Sequence, residues 1–331
     1  GGTIQYCVNK ATISNVSMTG TGGIVGCVGN KGGYITGCIN LGDISSTSYA
    51  VGGIVGTTLN SINTLTIKQN INTGAISGES YISGILGNSG ATNIEINNCI
   101  NLGEINAKST SVAYASGIAI PITSTGYSFS NSINVGQVSA TGETSSYSGA
   151  ISSIPTRGTY TNNYYDSTVN PSVVDSSTTD ITGKSTTELI GSNLSLDGIS
   201  DGQWSFAEGR YPLPNIAESV PGGENGEIWN AVIVAATPEV SSSGEGDVTN
   251  FTLGGEYKDV SGNLLGYVFE INEDENYIKI AYTKILPENE SEGGYIWSNN
   301  TNVGSLLNIS DGEEMLEAIK GNNISNFPVF A

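Results

Sequence analysis

The side chains of this chain that could do chemistry are few. Four cysteines, Cys7, Cys27, Cys38 and Cys99, stand without any C-x-x-C pair, and Lys31 sits in the glycine-crowded stretch 22–44, "GGIVGCVGNKGGYITGCINLGDI". Thiols at such spacing make a poor zinc or dithiol site. A phosphate-cradling loop needs G-x-x-x-x-G-K-[ST] between a strand and a helix, whereas here Lys31 is followed by Gly32 and no helical pattern comes next. The 331 residues contain no histidine. That excludes Ser-His-Asp and Cys-His nucleophiles, the usual imidazole acid/base and every His-ligated metal site. Carboxylates remain: Asp43 and Glu104 occupy equivalent positions two repeats apart, a separation of about 10 Å if the repeats stack at about 4.8 Å, at the long edge of the range for an inverting glycosidase. The acidic run 272–276, "NEDEN", could hold calcium but lacks the D-x-D-x-D-G ligand spacing.

Aromatic residues give the remaining signal. Tyr49, Tyr81, Tyr114 and Tyr147 recur at intervals of 32, 33 and 33. On stacked coils they would form a rigid column able to meet sugar rings or a protein partner.

What must position these residues is a repeat. "CVNKATI" (7–13), "CINLGDI" (38–44), "NINTGAI" (70–76), "CINLGEI" (99–105) and "SINVGQV" (132–138) align, with Asn9, Asn40, Asn72, Asn101 and Asn134 spaced 31, 32, 29 and 33 apart. A second block keeps the same phase, as "GIVG" at 23–26 and 53–56 and "GILG" at 84–87, and decays to "GIAI" (117–120) and "GAIS" (149–152). A sixth, degenerate copy falls at "NYYD" (163–166). Short alternating β-branched runs broken by Gly, Asn and Ser read as strands, and no helical stretch separates them. One such unit cannot bury its apolar face alone, but stacked units share a core. The expectation is an all-β chain: a parallel β-helix, or β-solenoid, of about six coils of 29–33 residues, with a C-terminal cap and then a small antiparallel β domain.

In that frame Ile39, Ile71, Ile100 and Ile133 form one internal ladder, and Ile44, Ile76, Ile105 and Val138 another. The repeated asparagines take corner positions, tolerating left-handed backbone and bonding to their equivalents one coil away. Gly42, Gly74, Gly103 and Gly136 supply positive φ. Cys7, Cys38 and Cys99 share one position with Asn70 and Ser132, and so read as small structural rungs, with a Cys7–Cys38 bridge geometrically open.

The "GIVG" blocks together with "CINLGDI" and "CINLGEI" resemble the glycine-rich GLUG repeat of bacterial surface and adhesin-like proteins. "YYDSTVNP" (164–171), "GKSTTELIG" (183–191), Trp204 and "GRYPLP" (209–214) are similar to the closing segment of such arrays. The resemblance spans about residues 3–216 and implies an exported, cell-surface, adhesin-like protein.

Residues 1–216 therefore read as solenoid plus cap, the cap at about 164–216. In the cap, "STTEL" starts a short helix with Ser185 as N-cap, and Trp204, Phe206, Tyr211 and Leu213 plug the last coil. "AESVPGGENGE" (217–227) reads as a linker. Residues 228–331 read as an acidic, sandwich-like β domain, with strands in 227–236, 248–255, 264–271 and 276–286, a turn at 260–263 and one helix at 311–321. Residues 221–331 hold 18 acidic and 4 basic side chains and contribute −14 to a net charge of −20. Such a balance disfavours nucleic acid and anionic membranes, and no segment approaches eighteen consecutive apolar residues. The chain opens Gly-Gly rather than with Met, so any export signal or anchor is expected outside it. The functional expectation is a monomeric, non-catalytic module binding an extracellular glycan or host protein, with Tyr49, Tyr81, Tyr114 and Tyr147 as binding residues and no cofactor except, weakly, calcium. The alternatives are a polysaccharide lyase or hydrolase depending on Asp43 or Glu104, and a passive spacer.

Overall fold

The structure is a computed structural model. It describes residues 2–238, apart from 16–19, 48, 60–62, 92, 123–125, 177 and 201, together with the backbone of five strands further on. The chain divides into two compact units, Gly1–Val240 and Ser241–Ala331.

The first unit is a parallel β-solenoid of about five turns with an incomplete sixth. Five parallel sheets run along the stack, of six, seven, five, five and four strands, and each strand pairs with its counterpart one repeat away. We number these walls 1 to 5 in the order a coil visits them. In coil two they are Gly33–Thr36, Ile39–Asn40, Ile44–Ser46, Ala50–Gly52 and Val55–Thr58. Registers are strict: Ile39, Ile71, Ile100 and Ile133 are successive partners in wall 2, as are Ile44, Ile76, Ile105 and Val138 in wall 3.

The repeated asparagines run up the interior. Asn9 Nδ2 donates to Asn40 Oδ1, Asn40 to Asn72, Asn72 to Asn101 and Asn101 to Asn134, each at 2.7 Å. Each buried Nδ2 also donates to the carbonyl two residues on, at 2.8–2.9 Å. They lie in strands, not at corners. The left-handed corner falls instead on the residue before the cysteine position, where Tyr6, Gly37, Gln69, Asn98, Asn131 and Asn162 have φ of 51–64°. Gly42, Gly74, Gly103 and Gly136 are not in that region either. They are glycine because the coils approach closely: a Cβ at Gly74 would be driven into the carbonyl of Gly42.

This ladder separates two apolar interiors. One lies between walls 1 and 5 and contains Ile35, Ile67, Ile96, Phe129, Ile54, Ile85 and Ile118. The other lies between walls 3 and 4, built from Ile44, Ile76 and Ile105 against Val51 and Ile82.

The wall 2 isoleucines are not an internal ladder. Alternation sends them to the face opposite the asparagines, where they pack with Leu196, Trp204, Leu213, Trp229 and Val232. The C-terminal segment thus covers the flank of the stack rather than plugging its last coil. Its contacts climb the coils. Tyr211 OH and Thr186 Oγ1 each donate to buried Asp166 at 2.6 Å, Trp204 Nε1 donates to Asn98 at 3.2 Å, and Glu227 pairs with Lys10 of the first coil at 2.7 Å. Covering an isoleucine here is worth about 1.5–3 kcal/mol, so an uncovered ladder of four would be a large liability.

The predicted start at Ser185 is present, its N–H donating to Glu188 at 2.9 Å before helix α1, Thr186–Leu189. The linker at 217–227 and the strand at 227–236 are not. Ala217–Ser219 is a 3-10 turn, and helix α2, Glu227–Ala236, buries Trp229, Val232 and Ala236 on the flank, so both segments belong to the first unit.

Two side chains close the last coil where no further coil supplies partners. Asp175 accepts the N–H groups of Ala150, Ile151 and Ser152 at 2.6–3.0 Å. Asn170 accepts Val138 N–H at 2.9 Å and donates to Gly136 O at 3.0 Å, standing in for a backbone amide.

In the second unit Glu256–Lys258, Leu264–Asn272 and Tyr277–Tyr282 form an antiparallel sheet, and Gly294–Trp297 pairs antiparallel with Ser305–Asn308. The predicted strand at 248–255, the turn at 260–263 and the helix at 311–321 lie wholly or largely outside the described residues.

Replacing Asn72 by Ala leaves one of the two Asn40 Nδ2 hydrogens and the Asn101 Oδ1 acceptor buried without their partner. At about 1–3 kcal/mol per orphaned group, Asn72→Ala is expected to lower unfolding free energy by about 3 kcal/mol. Asn9→Ala, at the exposed end of the ladder, should cost less than half of that. Denaturant unfolding followed by circular dichroism measures both.

Candidate functional site

Wall 4 carries the tyrosines. Tyr81, Tyr114 and Tyr147 are register partners on Tyr81–Ser83, Val112–Ser116 and Ser145–Gly149. Their rings stack with centroids 4.9 and 5.0 Å apart and planes within 8° and 12°. Tyr49 does not join this register, because Tyr81 pairs with Ala50. Its ring instead lies against Tyr81 at 4.7 Å, tilted by 55°. The site predicted as four equivalent tyrosines is therefore three in register plus one at the end.

The stacking also changes what the column can do. The facing ring surfaces between Tyr81, Tyr114 and Tyr147 are spent on each other, and about 5 Å between centroids leaves no space for a sugar ring between them. What the column offers a ligand is its ring edges and a row of hydroxyls. Burial, and then the neighbouring Tyr49 hydroxyl, push the Tyr81 phenol above its ordinary range, while the Arg157 guanidinium pulls it the other way. The Tyr81 hydroxyl is thus a neutral donor and acceptor.

Beside the column lies a groove of about 640 Å³, lined by Tyr81, Tyr114 and Tyr147 on one side and by Ile122, Val174 and the segment 153–157 on the other. This volume falls within the range of small-ligand sites. The opposing side arises from a failure of the repeat. Wall 5 ends at Ala119–Pro121. After Ile151 the fifth coil makes no wall 5 strand and turns through 154–157, closed by Arg157 N–H to Ile154 O at 3.1 Å.

The turn is held from below by buried polar contacts. Ser153 N–H donates to Ser116 Oγ at 2.8 Å, the Ser116 hydroxyl donates to Ser153 Oγ at 3.0 Å, and Asp175 holds the amides of residues 150–152. Tyr160 OH donates to Arg157 O at 2.8 Å, and Arg157 Nη1 donates to Ile122 O. Among the described residues Arg157 is the only charged side chain lining the groove. No described carboxylate pairs with it, in contrast to Lys10 and Lys184. Sequence reading missed it, although the decay of "GIVG" to "GAIS" marks the place.

The other predicted residues are structural in setting. Cys38 and Cys99 are buried, Cys7 and Cys27 are exposed, and all four are free thiols, so the Cys7–Cys38 bridge is not formed. Asn70 fills the cysteine position with a side chain that accepts Cys38 N–H and donates to Ile35 O, both at 2.9 Å. Asn163 does the same work one coil after Ser132. Asp43 Oδ1 accepts Ala75 N–H at 2.9 Å, a link between coils. Among the described residues no three His, Cys, Asp or Glu side chains gather where a metal could be held, and no helix is long and apolar enough to cross a membrane. Most of the acidic run 272–276 lies outside the described residues.

No protein-family model, curated protein or solved structure matches the chain.

Burial pushes the Cys38 and Cys99 thiols up to about 11 and about 12, which together with their inaccessibility suppresses the reactive thiolate. At pH 8 an aromatic disulfide reagent should therefore titrate two thiols promptly, Cys7 and Cys27, and all four only after unfolding. Absorbance of the released thiolate counts them.

Proposed function

We propose that this chain is a non-catalytic binding module of an exported bacterial surface protein, adhesin-like and of the GLUG-repeat kind, that takes an extracellular ligand into the groove beside Tyr81, Tyr114 and Tyr147. The observation that carries the reading is the groove itself. It is a concave site with aromatic edges on one side, a turn pinned by buried hydrogen bonds on the other, and one guanidinium between. A site held this way loses little freedom on binding, which favours recognition by a preformed surface.

The in-phase "GIVG" and "CINLG" blocks support the family reading. The chemistry present favours binding over catalysis. With no histidine, acid/base work would fall to carboxylates, and Asp43 is engaged in linking coils while Asp175 is buried under three amides. The groove itself presents hydroxyls, apolar walls and an arginine, with no carboxylate pair. A passive spacer would need no such groove.

The test is an array of host and microbial glycans and extracellular proteins probed with the wild-type chain, with Tyr81→Ala/Tyr114→Ala, and with Tyr34→Ala. Tyr34 is a more exposed tyrosine on wall 1, at 60% exposure and outside the groove. Loss of a desolvated tyrosine anchor typically costs about 2 kcal/mol, so the double variant should lose at least about tenfold in affinity while Tyr34→Ala keeps wild-type binding. A wild-type chain that captures nothing, or a double variant that binds as well as wild type with its circular dichroism unchanged, overturns the reading.

A further inference from the structure

Arg157 narrows the ligand class. It is half-buried in the groove wall, its Nη1 on Ile122 O, with no described carboxylate beside it. Among the described cations only Lys10 and Lys184 pair with a carboxylate, and Arg157 is the one of the others that lines the groove. A guanidinium held in a concave site beside hydroxyls and apolar walls, with no described carboxylate on it, can take an anionic group. The remaining lining divides into hydroxyls, from the three tyrosines, Ser153 and Thr156, and apolar walls from Ile122, Ile154, Pro155 and Val174. Hydroxyl edges facing apolar patches suit a pyranose, which presents hydroxyls around its rim and C–H groups on its faces.

We propose that the groove binds a glycan carrying a carboxylated sugar, with the carboxylate on the Arg157 guanidinium and the sugar hydroxyls on the row of Tyr81, Tyr114 and Tyr147. The assignment rests on the groove being the binding site.

Two observations favour a sugar over an acidic peptide. A peptide bound by strand addition needs a free sheet edge, and the outer strand of wall 4 has its Ser148 carbonyl already taken by Val174 N–H at 2.9 Å. The groove also runs along side chains rather than along exposed backbone. Charge sets a further limit. A protein of net charge −20 repels polyanions at long range, so the ligand has an isolated acidic sugar among neutral ones, rather than a charge at every unit. A guanidinium bonded to a carboxylate forms a charge-assisted pair, roughly twice as strong as a neutral hydrogen bond.

The experiment titrates the whole chain with oligosaccharides holding one uronic or sialic acid residue, and with the same oligosaccharides after reduction of the carboxyl to an alcohol, by calorimetry. The acidic form should bind at least about tenfold more tightly than its reduced counterpart, as loss of one charged hydrogen bond implies. Arg157→Gln should abolish that difference. Arg157→Lys should restore part of it. Equal affinity for both forms, with binding still lost in Tyr81→Ala/Tyr114→Ala, overturns the carboxylate assignment and spares the groove. Preference for the acidic form that survives in both the tyrosine and Arg157→Gln variants overturns the groove as its site. No binding of either form to the wild-type chain overturns the glycan assignment, and the groove then stands or falls with the protein arm of the array.

Discussion

The asparagine ladder is the constraint on which the rest of the solenoid depends. An amide side chain buried between two apolar interiors must satisfy both donors and its acceptor: one N–H reaches the carbonyl two residues on, and the other N–H and the oxygen meet the same amide in neighbouring coils. Each rung therefore fixes its neighbours' height and register. The rung also fixes the opposite wall. A Cβ at Gly53 would sit 2.5 Å from Asn72 Oδ1 and one at Gly84 2.5 Å from Asn101 Oδ1, so the first glycine of each "GIVG" block presses directly on the amide. The glycine of "CINLG" presses on it from the coil above, as Gly103 does on Asn72. The two sequence blocks keep the same phase because both close on one side chain.

From the ladder follows the need for the C-terminal flank. Wall 2 strands such as Ile39–Asn40 are two residues long, so an asparagine turned inward forces the isoleucine beside it outward. Stacked isoleucines on an outer face make a continuous apolar stripe, which is costly to leave in contact with water. Residues 189–236 do so, and the polar anchors are spread along the climb: Asp166 at the last coil, Asn98 midway and Lys10 at the first. Asp166 is buried and accepts four donors, from Thr168 N, Val169 N, Thr186 Oγ1 and Tyr211 OH, which is how a carboxylate is kept inside without a cation.

The architecture was legible because translational repetition writes itself into sequence: Asn9 to Asn134 give the coil length, and β-branched runs give the strands. What repetition does not encode is which way a rung faces. In a two-residue strand there is no alternation to read, and Ile39 looks like core whether the core is inside the coil or under a covering segment. The left-handed corner was misplaced for a related reason. Asparagine is the usual candidate for such backbone, yet Tyr6 and Gln69 hold it as readily as Asn98 when the next residues are locked into the stack. In "EIWNAVIVAA" the β-branched residues obscured a helical period that is plainly present: Trp229, Val232, Ile233 and Ala236 fall at i, i+3, i+4 and i+7. The tyrosine intervals located the column but not its stacking; Tyr49 stands four residues before the first glycine of its block, where Tyr81 and Tyr114 stand three, and that offset is the trace of its separate register.

A strict repeat presents the same face at every coil, and a surface of identical rungs gives a ligand no particular place to stop. A discrete site needs the symmetry to break. Here it breaks between "GIAI" and "GAIS": Pro121 ends wall 5, because a residue without an N–H cannot carry the ladder on, and the next coil spends its residues on the turn that carries Arg157. The same break exposes three amides at 150–152 that would otherwise meet the following coil. Asp175 covers them, and in doing so it fixes the base of the turn that faces the tyrosines. The cap of the stack and the wall of the groove are one piece of structure. That is why the residue types that look anomalous against the repeat, a proline, an arginine and a buried aspartate, gather at the one place where the solenoid stops repeating itself.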